Sequence, residues 1–533
     1  MKKQHIALFF CLLLLTVFLF SLNLHFFTAK TDSSVTLQIR IMNELKNEEH
    51  VLQEFEDRTF DDLGLHISLK SQSSDSYHHN LSSLLHTNNN IDLVFDAPWL
   101  KMNQNIADGL YLDLEPYLNS GKYQGLLSAF SSRYLNDSRI NGHLYGLPIT
   151  KNYYDPPGII YRKDLLESYH LGFDEIQNLD QLQQFYDAVL KNNPEMYPLS
   201  VGRRGFYYLL LEDAIKLQNE NVFDVTGISW PTFPVKVVLS SDQKTVKNVI
   251  FLGDEQEELQ KAGVDIRDYF KEAYLKQADW NCYLSPDSLI SSDSSYALLN
   301  GQAASFEQTL GEGTISLQDQ LQKQFPQATL AFFPSDASLQ SLSDDLTIAK
   351  GLTAWNYVCI PKNSDHIEET LSFLDWMFAS QENNDLLTYG VEGTDWIRAG
   401  EQEYRLPEDQ EQTYRIPSYT LSYNPKYLRY ESRLNENEKR LIQKTADPDT
   451  FTGSPLTGFG LDYTTFSARW NDILSLYQEY HLQFMHGTYG SETAGKIQEF
   501  HARAKQLGLN EMRQEIAEQI QNYLDQLSSD SSR

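Results

Sequence analysis

The chain has 533 residues, 41% hydrophobic and 12% aromatic, which is enough for a large core and for two or three domains or lobes. A formal net charge of -30 argues against nucleic acid and anionic membrane surfaces as partners. Of the three cysteines, Cys11 sits near the N-terminus, and only Cys282 and Cys359 remain to pair, so neither a disulfide framework nor a thiolate metal site is expected.

The chain opens on Lys2, Lys3 and a nearly unbroken apolar run, residues 6–27 (IALFFCLLLLTVFLFSLNLHFF). Roughly 20 apolar residues suffice to cross a bilayer as a helix. The two lysines favour a cytoplasmic N-terminus, so everything after Lys30 is expected to be exported. ATP-driven and cytoplasmic redox chemistry fit such a protein poorly. Phe27-Thr28-Ala29 is a poor cleavage site because a bulky ring stands where a small residue is wanted. Cys11 lies inside the run, behind Phe9 and Phe10, and not at its end. An uncleaved anchor is therefore expected over a cleaved signal peptide.

Residues 34–42 (SVTLQIRIM) alternate apolar and polar side chains and read as a strand. Residues 48–58 carry Val51, Leu52 and Phe55 at helical spacing, and 65–69 (LHISL) read as a second strand. A short helix over 78–85, an Asn-rich turn at 88–90 and a buried strand over 91–95 (IDLVF) follow. Strand, helix, strand, helix, strand is the opening of an α/β domain with a parallel sheet. Residues 158–162 (GIIYR) read as a further strand, with Asp164 as N-cap of the next helix. A helix over 178–191 places Leu179, Leu182, Phe185, Ala188 and Val189 on one face. The middle, 198–283, mixes helices with a Pro-rich strand stretch around Trp230. A helix ending at Gly301, short strands at 330–334 and 357–361, and an amphipathic helix over 367–379 come next. The last third is mostly helical, clearest over 468–484 and 494–524.

Enzyme signatures are missing. The chain has no Gly-x-Ser-x-Gly, His-Glu-x-x-His, phosphate-binding glycine loop or EF-hand. Asp447-Pro448-Asp449 lacks calcium-loop spacing. His78, His79, His481, His486 and His501 have no ligand spacing, and carboxylates are too abundant for a pair to signal a glycosidase.

Nine segments in order carry a family likeness: DLVFDAPW (92–99), GLYLDLEPYL (109–118), NGHLYGLPI (141–149), GIIYRKDLLE (158–167), NLDQLQQFYDAVLKNNP (178–194), LLNGQAA (298–304), WNYVCIPKNS (355–364), TLSFLDWMFASQENNDLLTYGVEGTDW (370–396) and SPLTGF (454–459). Each alone is weak, but their order and spacing are specific. Through them the chain resembles the extracellular solute-binding proteins, family 1, of bacterial carbohydrate ABC importers, in the long Gram-positive subgroup. The resemblance implies an α/β, type II periplasmic-binding-protein-like fold. Each of its two lobes is then a mostly parallel sheet flanked by helices, with a helix-rich C-terminal region, and the lobes close on a ligand by a hinge. It implies an oligosaccharide ligand, permease subunits as partners, a monomer, no cofactor and no catalysis. The lobes are expected at 31–149 plus about 304–354, and at about 150–303 plus 355–533, after the 1–30 segment. The chain departs from the family in lacking a lipobox cysteine. A ligand sensor of the same fold, docking on a signalling membrane protein, is the alternative; a secreted polysaccharide-active enzyme is disfavoured by the missing motifs.

For a sugar site, Trp99 and Asp96 lead, because they follow a strand at the C-terminal edge of a parallel sheet. Trp355, Asn356 and Tyr357 lie where the chain is expected to recross between lobes. Glu392, Asp395 and Trp396 follow a helix end, Tyr153 and Tyr154 follow the first crossing, and Arg203, Tyr207, Phe306 and Glu307 complete the expected set.

Overall fold

The computed structural model describes residues 34–530 apart from 43–44, 88–89, 207–208, 210–220, 226–233, 255–268, 291–293, 312, 341, 344, 349, 353, 409–412 and 415–420. The N-terminal apolar run and the stretch around Trp230 lie outside the described residues. Among the described residues no helix is long and apolar enough to cross a membrane.

Strands β1 (Thr36–Met42), β2 (His66–Gln72) and β3 (Leu93–Asp96) form where the sequence alternates or runs apolar, and β1 pairs in parallel with both others. The helices Glu49–Leu63 and Ser74–Thr87 supply the crossovers that parallel pairing requires. Leu37, Ile39 and Ile41 enter the first core from β1, and β3 is buried along its whole length. β4 (Leu147–Pro148) is the far edge of this sheet. Gly146 precedes it of necessity, since a Cβ there would come within 2.7 Å of Cys359 Sγ and 2.9 Å of the Val358 carbonyl oxygen. Residues 149–156 then carry the chain to β5 (Pro157–Arg162), the centre of a second sheet.

β6 (Val222–Asp224), β7 (Val235–Leu239) and β8 (Val246–Phe251) form an antiparallel sheet of their own, which the sequence pattern did not reveal. β9 (Ser305–Thr309) and β10 (Leu330–Pro334) flank β5, and β11 (Tyr357–Cys359) returns to the first sheet between β3 and β4. The expected division gave 304–354 to the first lobe and 355 onward to the second; β9, β10 and β11 depart from it, whereas Leu310, Leu339, Leu346 and Leu352 do enter the first core. A strand of three to five buried residues bears no mark of the sheet that will accept it. The second sheet also departs from a mostly parallel one, because β9 and β10 are both antiparallel to β5. They run parallel to each other with helix Ile315–Gln322 as crossover, and β5 occupies the place between them.

The helices Tyr269–Trp280, Ser467–His486, Thr493–Gln506 and Leu509–Asp530 pack with the third sheet around a separate core. The single helix expected over 494–524 breaks in two at Gly508, whose φ of +96° ends the first piece. Asp254, after β8, ties this unit together: its buried carboxylate accepts from His501 Nε2 at 3.0 Å and from Arg513 at 2.6 and 2.8 Å. Burial opposes its ionisation, but these donors outweigh burial and hold the carboxyl well below the usual carboxylate range. Asp164 is not an N-cap. Arg162 takes that position, and Asp164 instead accepts from its guanidinium at 2.8 and 2.6 Å.

Candidate functional site

The C-terminal ends of β3 and β4 and the N-terminal end of β11 meet at one edge of the first sheet, where Tyr357 pairs with both Asp96 and Pro148. Both crossings use this edge: residues 149–156 leave it for β5, and residues 335–356 return to it from β10. The edge therefore faces the second lobe. It is also where open α/β sheets hold ligands.

Trp99 and Asn356, 257 positions apart, meet there. The Trp99 indole Nε1 donates to Asn356 Oδ1 at 3.0 Å, and the Trp99 ring lies 6.1 Å from that of Phe95. Asn356 is held in turn through its carbonyl, which accepts from Ile149 N–H at 2.9 Å. Trp355, beside it, leaves 58% of its surface exposed. These three of the expected residues are brought together.

Asp96 and Tyr357 are expected in the same place but point inward. Asp96 is fully buried and accepts from Tyr111 Oη at 2.5 Å, Asn105 Nδ2 at 2.8 Å and Ala97 N–H at 2.7 Å. It thus fixes the loop that carries Trp99. Burial raises its carboxyl to about 6 against the pull of these donors. Tyr357 is a core residue of β11.

At the crossings, Tyr153 packs edge-on against Tyr134 and Phe451, at 4.9 and 5.8 Å. Tyr154 is buried, and its hydroxyl donates to Asp336 Oδ2 at 3.0 Å, while the Lys350 ammonium lies 4.1 Å from its ring centre. In the first crossing segment Tyr154 is thus buried and Tyr153 half-buried. Asp336 and Lys350 escaped the sequence reading. The signal for Asp336 was its place just after a strand ending in Pro334, the same rule that selected Asp96.

In the second lobe, Arg203 is exposed on the short turn Gly202–Arg204, which follows a segment bridging β9 at Ser200 and Phe306. Phe306 is core, with Ile160, Leu298 and Leu321. Glu307 is buried and accepts from Leu209 N–H at 2.6 Å. Tyr207 lies outside the described residues.

Glu392, Asp395 and Trp396 are brought together in one turn. Asp395 accepts from Val391 N–H, Tyr414 N–H and His50 Nε2, each at 2.8 Å. Trp396 donates to the Gly390 carbonyl at 3.0 Å, with the guanidinium groups of Arg429 and Arg398 at 5.1 and 5.4 Å from its ring. Gly390, at φ +90°, leaves no room for a Cβ, which would lie 2.4 Å from Asp395 Oδ2. Glu392 is exposed and pairs with Arg398 at 3.0 and 2.7 Å. Among the described residues no group of His, Cys, Asp and Glu is arranged to hold a metal ion.

The profile of the bacterial extracellular solute-binding proteins matches residues 50–393, and that of a domain of unknown function matches residues 455–525, within the C-terminal helical unit. A carbohydrate ABC transporter substrate-binding protein of Streptococcus pneumoniae serotype 4 is 20% identical over 472 residues, covering 86% of each chain. The crystal structure of the N-glycan transport solute-binding protein NgtS from S. pneumoniae superposes with a TM-score of 0.67 at 16% identity, over 92% of this chain and 99% of that one. The same protein in complex with Man5GlcNAc gives 0.65 at 18% identity, over 92% of this chain and 99% of that one. The alginate-binding protein AlgQ2 gives 0.59 at 13% identity, over 93% and 99%. At these identities the likeness shows the fold, the type II two-lobe arrangement.

Proposed function

The chain belongs to the bacterial extracellular solute-binding protein family, and on that premise we propose that it is the substrate-binding subunit of an ABC importer, capturing an oligosaccharide between its lobes. The observation that carries this reading is Trp355, a large aromatic left 58% exposed at the sheet edge that faces the second lobe, beside Trp99 and Asn356. An indole offers a flat apolar face to the C–H side of a pyranose, and a half-exposed amide offers hydrogen bonds to its hydroxyls. The S. pneumoniae relatives, named for carbohydrate ABC transport and N-glycan transport, support the same ligand class. As an extracellular family member the protein works outside the cytoplasm. The apolar run at residues 6–27 serves as its tether to the outer face of the cytoplasmic membrane. The closed form delivers ligand to permease subunits, and binding occurs as a monomer and without turnover.

A thermal-shift screen tests this with Man5GlcNAc, alginate oligosaccharides and human-milk oligosaccharides. A ligand at 100 times its Kd raises folded-state stability by about 2.7 kcal/mol. One or more of these carbohydrates should raise the melting temperature and leave the protein unchanged in mass. No shift from any carbohydrate, or conversion of a bound glycan to shorter products, overturns the proposal.

A further inference from the structure

We infer that Trp99 acts on the ligand through Asn356: its indole N–H locks the amide so that the amino group of Asn356 is presented to the cleft as a donor for an acceptor oxygen on a neutral sugar ring. The inference rests on the preceding reading of the cleft as a carbohydrate site.

An indole nitrogen can only donate, and Trp99 Nε1 lies 3.0 Å from Asn356 Oδ1. The usual ambiguity between the two ends of an amide is removed, because the reversed orientation would set donor against donor. The backbone is fixed as well. The Asn356 carbonyl accepts from Ile149 N–H, and the next residue, Tyr357, is buried in β11. With Oδ1 engaged, Nδ2 has no hydrogen-bond partner among the described residues. Asn356 is half-buried, between the exposed Trp355 and the loop of Trp99, so this amino group is both oriented and reachable.

Two consequences follow for the ligand. Trp99 offers it only a ring face, since its N–H is used inside the protein. The amide selects an oxygen that can accept, a ring hydroxyl or an acetamido carbonyl, next to an apolar C–H face. Being uncharged, it does not require an ionised sugar. A rotatable amide would have to be ordered on binding, whereas a locked one is ordered beforehand.

The test is a double-mutant cycle read by calorimetry with Man5GlcNAc, or with whichever carbohydrate of the panel binds. One change replaces Trp99 by 3-benzothienylalanine, which keeps both fused rings and lacks the N–H. The other is Asn356→Ala, with Asn356→Ser in its place if that variant does not fold. Melting curves accompany all four proteins. In the native background the tryptophan analogue should weaken binding about three- to tenfold, the size of one net hydrogen bond. In the Asn356→Ala background the same replacement should change affinity little, because the group it orients is gone. Equal losses in both backgrounds, or no loss in either, overturn the inference while leaving the carbohydrate reading intact. Failure of every panel carbohydrate to bind the native protein overturns both.

Discussion

Trp355 and Trp396 look alike in the sequence, each between one apolar and one polar neighbour, yet one keeps 58% of its surface in solvent and the other 2%. Trp355→Ala should weaken carbohydrate binding by about 1–3 kcal/mol, the worth of a large aromatic contact, and leave the melting temperature nearly unchanged. Trp396→Ala should remove about 3–5 kcal/mol of stability, because it empties a packed site between two guanidinium groups. Calorimetry and a denaturant melt on each variant separate the two roles; equal loss of stability in both would refute the assignment of Trp355 to the cleft. The strand-edge rule located the right end of β3, but it could not say that Asp96 turns inward and Trp99 outward. That depends on Tyr111 and Asn105, whose approach to Asp96 leaves no local signature. The same limit applies to Phe306 and Glu307, which alternate along β9 and are nevertheless both buried, one by core packing and the other by a hydrogen bond to Leu209.

Elements with strong local patterns were legible. Helix Ile367–Ala379 stands where its amphipathic pattern placed it, and β1 and β5 lie within two residues of their expected bounds. The third sheet was not legible, because its strands are held together by pairing across loops and not by a distinctive period. Helix Glu436–Ala446 was also missed, although its start carries a capping box of Asn435 and Glu438. Glu438 N–H donates to Asn435 Oδ1 at 2.9 Å, and Asn435 Nδ2 donates to Glu438 Oε2 at 2.8 Å. The other oxygen, Oε1, is buried without a hydrogen-bond partner among the described residues. Burial raises this carboxyl to about 7 from 4.5, outweighing the downward pull of the Thr314 hydroxyl and the Asn435 N–H, with a smaller upward push from Glu175. The folded state then takes up a proton at a pH where the unfolded chain does not. The stabilisation is fully present below the unfolded value of 4.5 and is lost as pH rises through 7. Lowering pH from about 7.5 to about 5 should strengthen this contribution by about 2 kcal/mol, and Glu438→Gln should abolish the gain. Melts across that range check it; an unchanged pH slope in the variant would count against the shift. Asn435→Ala should cost about 1 kcal/mol, the ordinary worth of a helix cap, at either pH.

At the scale of the whole molecule, the two-lobe plan was legible from the order of its segments. The return path was not, because nothing in the short sequences of β9, β10 and β11 names the strands they pair with. The structure puts the return at residues 335–356, and among the contacts that join it to the first crossing, beside Ile149 N–H to the Asn356 carbonyl, is a buried pair, Tyr154 and Asp336. The Tyr154 ring belongs to the first core, whereas Asp336 follows directly on β10 of the second sheet. Asp336 is also anchored on its own side, where Ser338 N–H and Oγ both donate to Oδ1. The tyrosine hydroxyl therefore ties the first core to the segment that leaves β10. Tyr154→Phe keeps the ring and deprives a buried carboxylate of one donor, at a cost of about 1–3 kcal/mol. Since the bond lost spans the lobes, the cost should fall on their coupling. In scanning calorimetry the variant should melt in two resolved steps where the native protein melts in fewer. Its closed form, which a ligand bridging both lobes must stabilise, should also be harder to reach, and affinity should fall. A uniform drop in melting temperature with unchanged transition shape and unchanged affinity would instead make Tyr154 an ordinary core residue of the first lobe.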